Sequence, residues 1–106
     1  MTKRLLLCLL VTACTSSSSS TGIPTATCPT GSTLTYANFG SAFLTSNCLS
    51  CHASKEQPRL ATQAQVQANR AAILENAVYT DAMPQDADMA TAEREMLGEW
   101  LACGAP

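Results

Sequence analysis

Residues 47–54 read Asn-Cys-Leu-Ser-Cys-His-Ala-Ser, and they include the only histidine of this 106-residue chain. Cys48 and Cys51 stand three positions apart, and His52 follows the second cysteine directly. Thiols and imidazoles are the side chains that most readily bind soft metals or form covalent bonds. What this stretch does depends on the compartment in which the chain folds and on the donors that lie elsewhere in the sequence.

The first 13 residues have the composition of an export signal. Lys3 and Arg4 precede an apolar run over 5–11, and small residues follow it before Cys14. This order of charge, apolar run and small residues is typical of a signal peptide. The run is far shorter than the roughly 20 apolar residues that a membrane-spanning helix needs. We therefore predict a signal peptide over 1–13, with a short buried segment as the alternative.

Val11-Thr12-Ala13-Cys14 resembles the lipobox of bacterial lipoproteins. The resemblance implies that the leader is cut before Cys14 and that lipid is attached to this cysteine, where each buried methylene contributes about 0.8 kcal/mol to anchoring. Residues 14–27 are rich in Ser and Thr, and they predict a flexible tether. The domain over 28–106 is then exported and held at a bacterial membrane, facing the periplasm or the cell exterior.

The domain that follows the tether is small and poor in aromatic side chains. A domain of this size rarely stabilises itself through its core alone, and a staple or a large apolar cofactor is expected. Without Lys3 and Arg4, four basic and eight acidic residues remain, which gives a net charge of −4. Such a surface makes nucleic acid an improbable partner and is typical of a solvated protein face.

Residues 35–47 predict the first of three helices. Tyr36, Phe39, Gly40 and Phe43 recur at offsets of 3, 4 and 7, which places them on one helix face. A glycine on an apolar face suggests that another backbone comes close to it, and the alternative is a simple surface glycine.

The other two helices are predicted over 63–78 and 92–103. Thr62 and Gln65 have the spacing of a capping box, and Thr91 is the expected cap of the last helix. The apolar stripe of that helix consists of Met96, Leu97, Trp100, Leu101 and Cys103. Because no alternating strand pattern occurs, the chain is predicted to be all-α.

Four uses of Cys48, Cys51 and His52 are compatible with their spacing. A zinc site needs about four ligands, and the chain lacks a second close cysteine pair. A thioredoxin-like dithiol needs a βαβ setting, and a disulfide within the motif leaves His52 without a role. Covalent haem attachment uses all three residues, because two thiols add to the two vinyl groups and the next histidine binds the iron. Cys28 and Cys103 are then left as a pair, for which we predict a disulfide that closes a long loop.

Residues 28–106 resemble a small class I cytochrome c domain of the kind found on bacterial lipoproteins. The attachment motif ends at His52, Pro58-Arg59-Leu60 resembles the proline turn that follows it, and Met83-Pro84 resembles the distal methionine loop. The resemblance implies about three helices around one covalent haem c, with the first and last helices crossing. It also implies that the Pro58 carbonyl accepts the Nδ1–H of His52, the proximal ligand, and that Met83 is the distal ligand.

A haem with both axial positions filled implies an electron carrier and not an enzyme. Met89 and Met96 compete with Met83 as ligands, although Met96 is expected to fill the core and Met89 to lie in a polar linker. The expected partner is a redox protein that the sequence does not identify. The alternatives are a haem-based gas sensor or peroxidase-like site with an open sixth position, and a non-haem zinc or thiol module.

Overall fold

The computed structural model describes residues 22–85 and 88–106. Within them the chain is helical and contains no strand, which confirms the prediction of an all-α protein. The α-helices are α1 (Ser41–Asn47), α2 (Leu49–His52), α3 (Gln63–Ala68), α4 (Arg70–Ile73) and α5 (Thr91–Ala102), and two π-helical segments span Tyr36–Gly40 and Leu74–Val78.

Several predictions for the start of the chain lie outside the described residues. These are the signal peptide over 1–13, the lipid site at Cys14 and the tether up to residue 21. In the part of the chain that the structure describes, none of the helices has both the length and the apolar character needed to cross a membrane.

The first predicted helix begins after Thr35, whose side chain caps it. The Thr35 hydroxyl accepts the Asn38 N–H at 3.1 Å, and the Asn38 side chain accepts the Thr35 N–H at 2.7 Å. This reciprocal pair satisfies two of the amide groups that a helix start leaves without partners. The helix then runs through the π-helical segment Tyr36–Gly40 into α1.

The second predicted helix also begins at its capping box but is divided further along. Thr62 Oγ1 accepts the Gln65 N–H at 3.2 Å, and Gln65 Oε1 accepts the Thr62 N–H at 3.1 Å. Asn69 leaves helical geometry, with φ −110° and ψ 15°, between α3 and α4. Its side chain donates to the Gln65 carbonyl at 2.8 Å and so competes with the backbone for that acceptor.

The last helix, α5, has a different cap from the one expected. Ala90 is the extended residue before the helix, and Thr91 is already its first residue. The Glu93 carboxylate accepts the Ala90 N–H at 3.3 Å and lies at the positive end of the helix dipole. This is one half of a capping box, and the methyl group of Ala90 cannot supply the other half.

Trp100 of α5 joins the last helix to the first. It is fully buried, stacks on Tyr36 with ring centroids 6.3 Å apart, and meets Phe39 edge-on at 5.9 Å. Gly40 is buried beneath the indole, and a Cβ added there would overlap the ring. The close neighbour of this glycine is therefore an aromatic side chain and not the backbone that the sequence suggested.

The two later methionines occupy the opposite environments to those expected. Met89 is 1 % exposed and belongs to the core, whereas Met96 is 43 % exposed. The buried face of α5 includes Arg94, Leu97 and Leu101. Met96 directly precedes Leu97, so its side chain leaves the helix in a direction about 100° away from that of Leu97. Met96 is thereby turned to solvent.

Cys28 and Cys103 form a disulfide across a sequence separation of 75, with their Cα atoms 4.8 Å apart. The pairing is the one predicted. It ties the start of the domain to the C-terminal end of α5.

Candidate functional site

The cysteine–histidine motif lies at the junction of two helices. Cys48 ends α1 and precedes the short helix α2, and its carbonyl accepts the His52 N–H at 2.9 Å. Positions three and four residues after Cys48 return to the same side of such a turn. The fold therefore brings the two sulfurs and the imidazole to one side of the chain over a single helical turn.

The imidazole of His52 has a defined orientation. Its Nδ1 lies 2.8 Å from the Pro58 carbonyl oxygen. A carbonyl can only accept, so Nδ1 carries the hydrogen, and in the neutral ring Nε2 keeps its lone pair. The Leu60 N–H donates to the His52 carbonyl at 2.9 Å, which fastens the intervening loop back onto α2. The contact between His52 and Pro58 that the resemblance implied is present in the structure.

His52 borders two adjoining cavities of about 190 Å³ and about 170 Å³. Both cavities also contact Cys48 and Met83. The larger one has an apolar wall made of Leu60, Ile73 and Ala77, which come from the loop after α2, from α4 and from the second π-helical segment. The smaller one opens beside Cys51 and Pro84. Together they form a groove, the motif groove, with apolar side chains at its inner wall.

The two motif thiols are free and differ in exposure. Cys48 is partly buried, and this burial raises the pKa of its thiol from 9.0 to about 11, so it stays protonated at neutral pH. Cys51 is exposed to solvent. No disulfide joins them in the structure, which leaves both sulfurs available for bonds to another group.

Met83 also borders the motif groove, and it is fixed through its backbone. Its N–H donates to the Asn76 carbonyl at 2.8 Å. Met89 and Met96 contribute to neither cavity. Among the described methionines, Met83 is thus the one that shares a groove with His52.

Arg94 is a residue of this region whose position the sequence reasoning missed. It is 1 % exposed, and its Nη1 donates to the carbonyls of Ala77 at 2.6 Å, Thr80 at 3.3 Å and Met83 at 3.1 Å. A signal was available, because Arg94 precedes Leu97 and Leu101 by three and seven positions and so falls on the buried face of α5.

The groups around the motif groove include the donor types that a haem would need. Across the described residues, no three His, Cys, Asp or Glu side chains are grouped so that they could hold a metal ion, and the disulfide uses Cys28 and Cys103. A haem instead needs an apolar wall, one imidazole whose other nitrogen is tied, and sulfur donors. The groove offers these in His52, Met83 and the two free thiols.

Comparison with models of protein families, with curated proteins and with solved structures gives no match to this chain. Its function therefore has to be inferred from the residues and the geometry of the motif groove.

Proposed function

We propose that this chain is a c-type cytochrome that carries single electrons, tethered to a bacterial membrane by lipid on Cys14 and facing the periplasm or the cell exterior. The observation that carries the proposal is the imidazole of His52. Its Nδ1 is tied to the Pro58 carbonyl at 2.8 Å, and it borders a groove that it shares with Cys48 and Met83.

The proposal gives each of these residues one role. Cys48 and Cys51 attach the haem covalently, and His52 is the proximal ligand of its iron. Pro58 holds the imidazole in one tautomer and orientation and so leaves Nε2 for the metal. Met83 is the distal ligand. A haem with imidazole and thioether ligands changes oxidation state by one electron, and the thioether favours the reduced iron.

The surroundings of the motif groove suit an electron carrier. Its inner wall is apolar and consists of Leu60, Ile73 and Ala77. Apolar surroundings limit the access of water and raise the free energy of the more highly charged, oxidised iron. Cys51 and Gln57, which line the smaller cavity, are exposed to solvent. We propose that electrons leave on this side, to a redox protein whose identity the chain does not specify.

The first test is the absorption spectrum of the protein, purified from a host that attaches haem to c-type cytochromes. We expect covalent haem, with a methionine-to-iron charge-transfer band in the oxidised state. Met83→Ala should abolish the band, and Met96→Ala is the matched control because Met96 is exposed and lies outside the groove. A band that survives in Met83→Ala would contradict the assignment of the distal ligand.

The same spectra separate the alternatives. Ready binding of carbon monoxide to the reduced wild type, together with no charge-transfer band, would favour a gas sensor or a peroxidase-like site. Absence of covalent haem would reject both haem functions and leave a zinc or thiol module.

A further inference from the structure

One charged side chain of α5, that of Arg94, points into the core. It is 1 % exposed, and its Nε has no hydrogen-bond partner among the described residues. Removing a guanidinium from water is unfavourable unless good hydrogen bonds replace its hydration, and a well-packed apolar side chain is often no less stable in such a place. The burial of Arg94 therefore calls for an explanation other than the stability of the core.

The hydrogen bonds of the Arg94 side chain all reach the same stretch of chain. Its Nη1 donates to the carbonyls of Ala77, Thr80 and Met83, at 2.6, 3.3 and 3.1 Å. Ala77 lies in the last turn of a helix, where carbonyls lack partners and a positive charge is favourable. One guanidinium nitrogen of Arg94 thus binds both the end of this helix and the loop after it.

Met83 is the residue at which this arrangement meets the motif groove. Its carbonyl accepts from Arg94 at 3.1 Å, while its N–H donates to Asn76 at 2.8 Å. Both backbone polar groups of Met83 are therefore held by the body of the domain. Holding the peptide groups on either side of a Cα fixes the direction of its Cα–Cβ bond, which restricts where the thioether can reach and so helps to set the distance of a ligand.

We propose that Arg94 is a positioning residue that holds Met83 in place as the distal iron ligand, a role that rests on the function proposed above. The planar guanidinium suits the task because its donors have a fixed geometry, whereas a lysine ammonium sits on a flexible stem. Arg94 lines neither cavity of the motif groove, so it acts through the Met83 backbone and not by contact with the haem.

The test compares Arg94→Met and Arg94→Lys with the wild-type protein and with Arg70→Met. Arg70 is the matched control because it also donates to a backbone carbonyl, that of Leu101 at 3.1 Å, but holds no part of the Met83 loop. The first measurement is hydrogen exchange of the Met83 amide, which needs no haem. The second is the charge-transfer band and the rate at which the reduced protein binds carbon monoxide.

We expect the Met83 amide to exchange about tenfold faster or more in Arg94→Met. The variant loses the charge-assisted hydrogen bond at the Met83 carbonyl, so the loop opens more often and the bond from the Met83 N–H to Asn76 breaks with it. Carbon monoxide binding should speed up by a similar factor, and the charge-transfer band should weaken. Arg94→Lys should fall between wild type and Arg94→Met, and Arg70→Met should match the wild type in all three measurements.

The inference is overturned if Arg94→Met leaves both Met83 exchange and the band unchanged while the α5 amides remain protected. An equal effect of Arg70→Met would also overturn it. If Arg94→Met does not fold, Arg94→Lys decides, because Met83 exchange and a band both equal to those of the wild type in that variant would overturn the inference. Absence of haem in the wild type rejects the proposed function, and the exchange data then still decide whether Arg94 fixes Met83.

Discussion

Cys48 and Cys51 have unlike surroundings although only two residues separate them. Cys48 packs against the core and lines both cavities of the motif groove, while Cys51 is exposed. Burial disfavours the thiolate, which is the reactive form, so the pKa of Cys48 rises to about 11.

In the chain with both thiols free, iodoacetamide should alkylate Cys51 well before Cys48. Labelling of Cys48 should become fast only as the pH approaches about 11. Denaturation should make it fast at lower pH, because the pKa of the thiol then returns toward 9.0. Between these two pKa values the unfolded chain loses the Cys48 proton before the folded chain does. The free energy of unfolding therefore falls as the pH rises from 9.0 to about 11. Peptide mass spectrometry measures the labelling, with Cys51→Ser as control. Equal labelling of both thiols in the folded chain would contradict the expectation.

Single residues differ in how far the sequence reveals them. The contact between His52 and Pro58 follows a local pattern, since only six positions separate the two residues. The buried state of Arg94 and Met89 depends on how α5 and the segment before it lie against the rest of the chain. The polar neighbours of Met89 suggested a linker position for it, and tertiary packing overrode that expectation.

At the scale of helices, the contact between Gly40 and Trp100 fixes how closely the first and last helices approach. Gly40→Ala would normally stabilise a helix by about 1 kcal/mol. Here the added methyl group overlaps the indole, and overpacking of this kind costs about 1–3 kcal/mol. We therefore expect a net loss of stability, measured by urea denaturation. Ala42→Ser, an exposed change in α1, is the control, and a Gly40→Ala protein as stable as wild type would show that the helices can separate without cost.

Helix starts were predictable where side chains three residues apart cap each other. Thr62 and Gln65 form the expected box because both partners lie in one short stretch of sequence. The division at Asn69 was not predicted, because an asparagine inside a helical pattern either points to solvent or bonds a carbonyl four residues back, and periodicity does not distinguish the two. The alanine cap of α5 was missed because Thr91, the stronger capping residue, stands next to it.

For the molecule as a whole, the bond between Cys28 and Cys103 restricts the unfolded chain more than the folded one. Closing a loop across 75 positions is worth on the order of 4 kcal/mol in the chain-entropy view. Cys28→Ser should therefore lower the melting temperature strongly and leave the haem spectrum largely intact. Cys103→Ser and the double variant should lose a similar amount, since all three lack the same bond. Loss of the spectrum in Cys28→Ser would mean that the cysteines are assigned wrongly.

The all-α class, the disulfide partners and the motif could be predicted. They depend on the sequence pattern, on which cysteines remain once the motif is set aside, and on local spacing. The motif groove could not, since its wall combines Leu60, Ile73 and Ala77 from three separate segments. Only the packed chain shows that Met83, and neither of the later methionines, reaches the same groove as His52.

Under the proposed tether on the N-terminal side of the domain, the link between Cys28 and Cys103 would also have a mechanical role. A pull on the chain before Ile23 would be resisted by the hydrogen bond from the Ile23 N–H to the Val78 carbonyl at 2.8 Å and by the packing of Ile23 and Ala26 against the core. Once these contacts were lost, the force on Cys28 would pass through the disulfide to Cys103 at the end of α5, and the stretch from Cys48 to Leu60 lies outside this covalent path. The disulfide would thus carry the tension from the attachment point, and the groups around His52 would not be pulled apart.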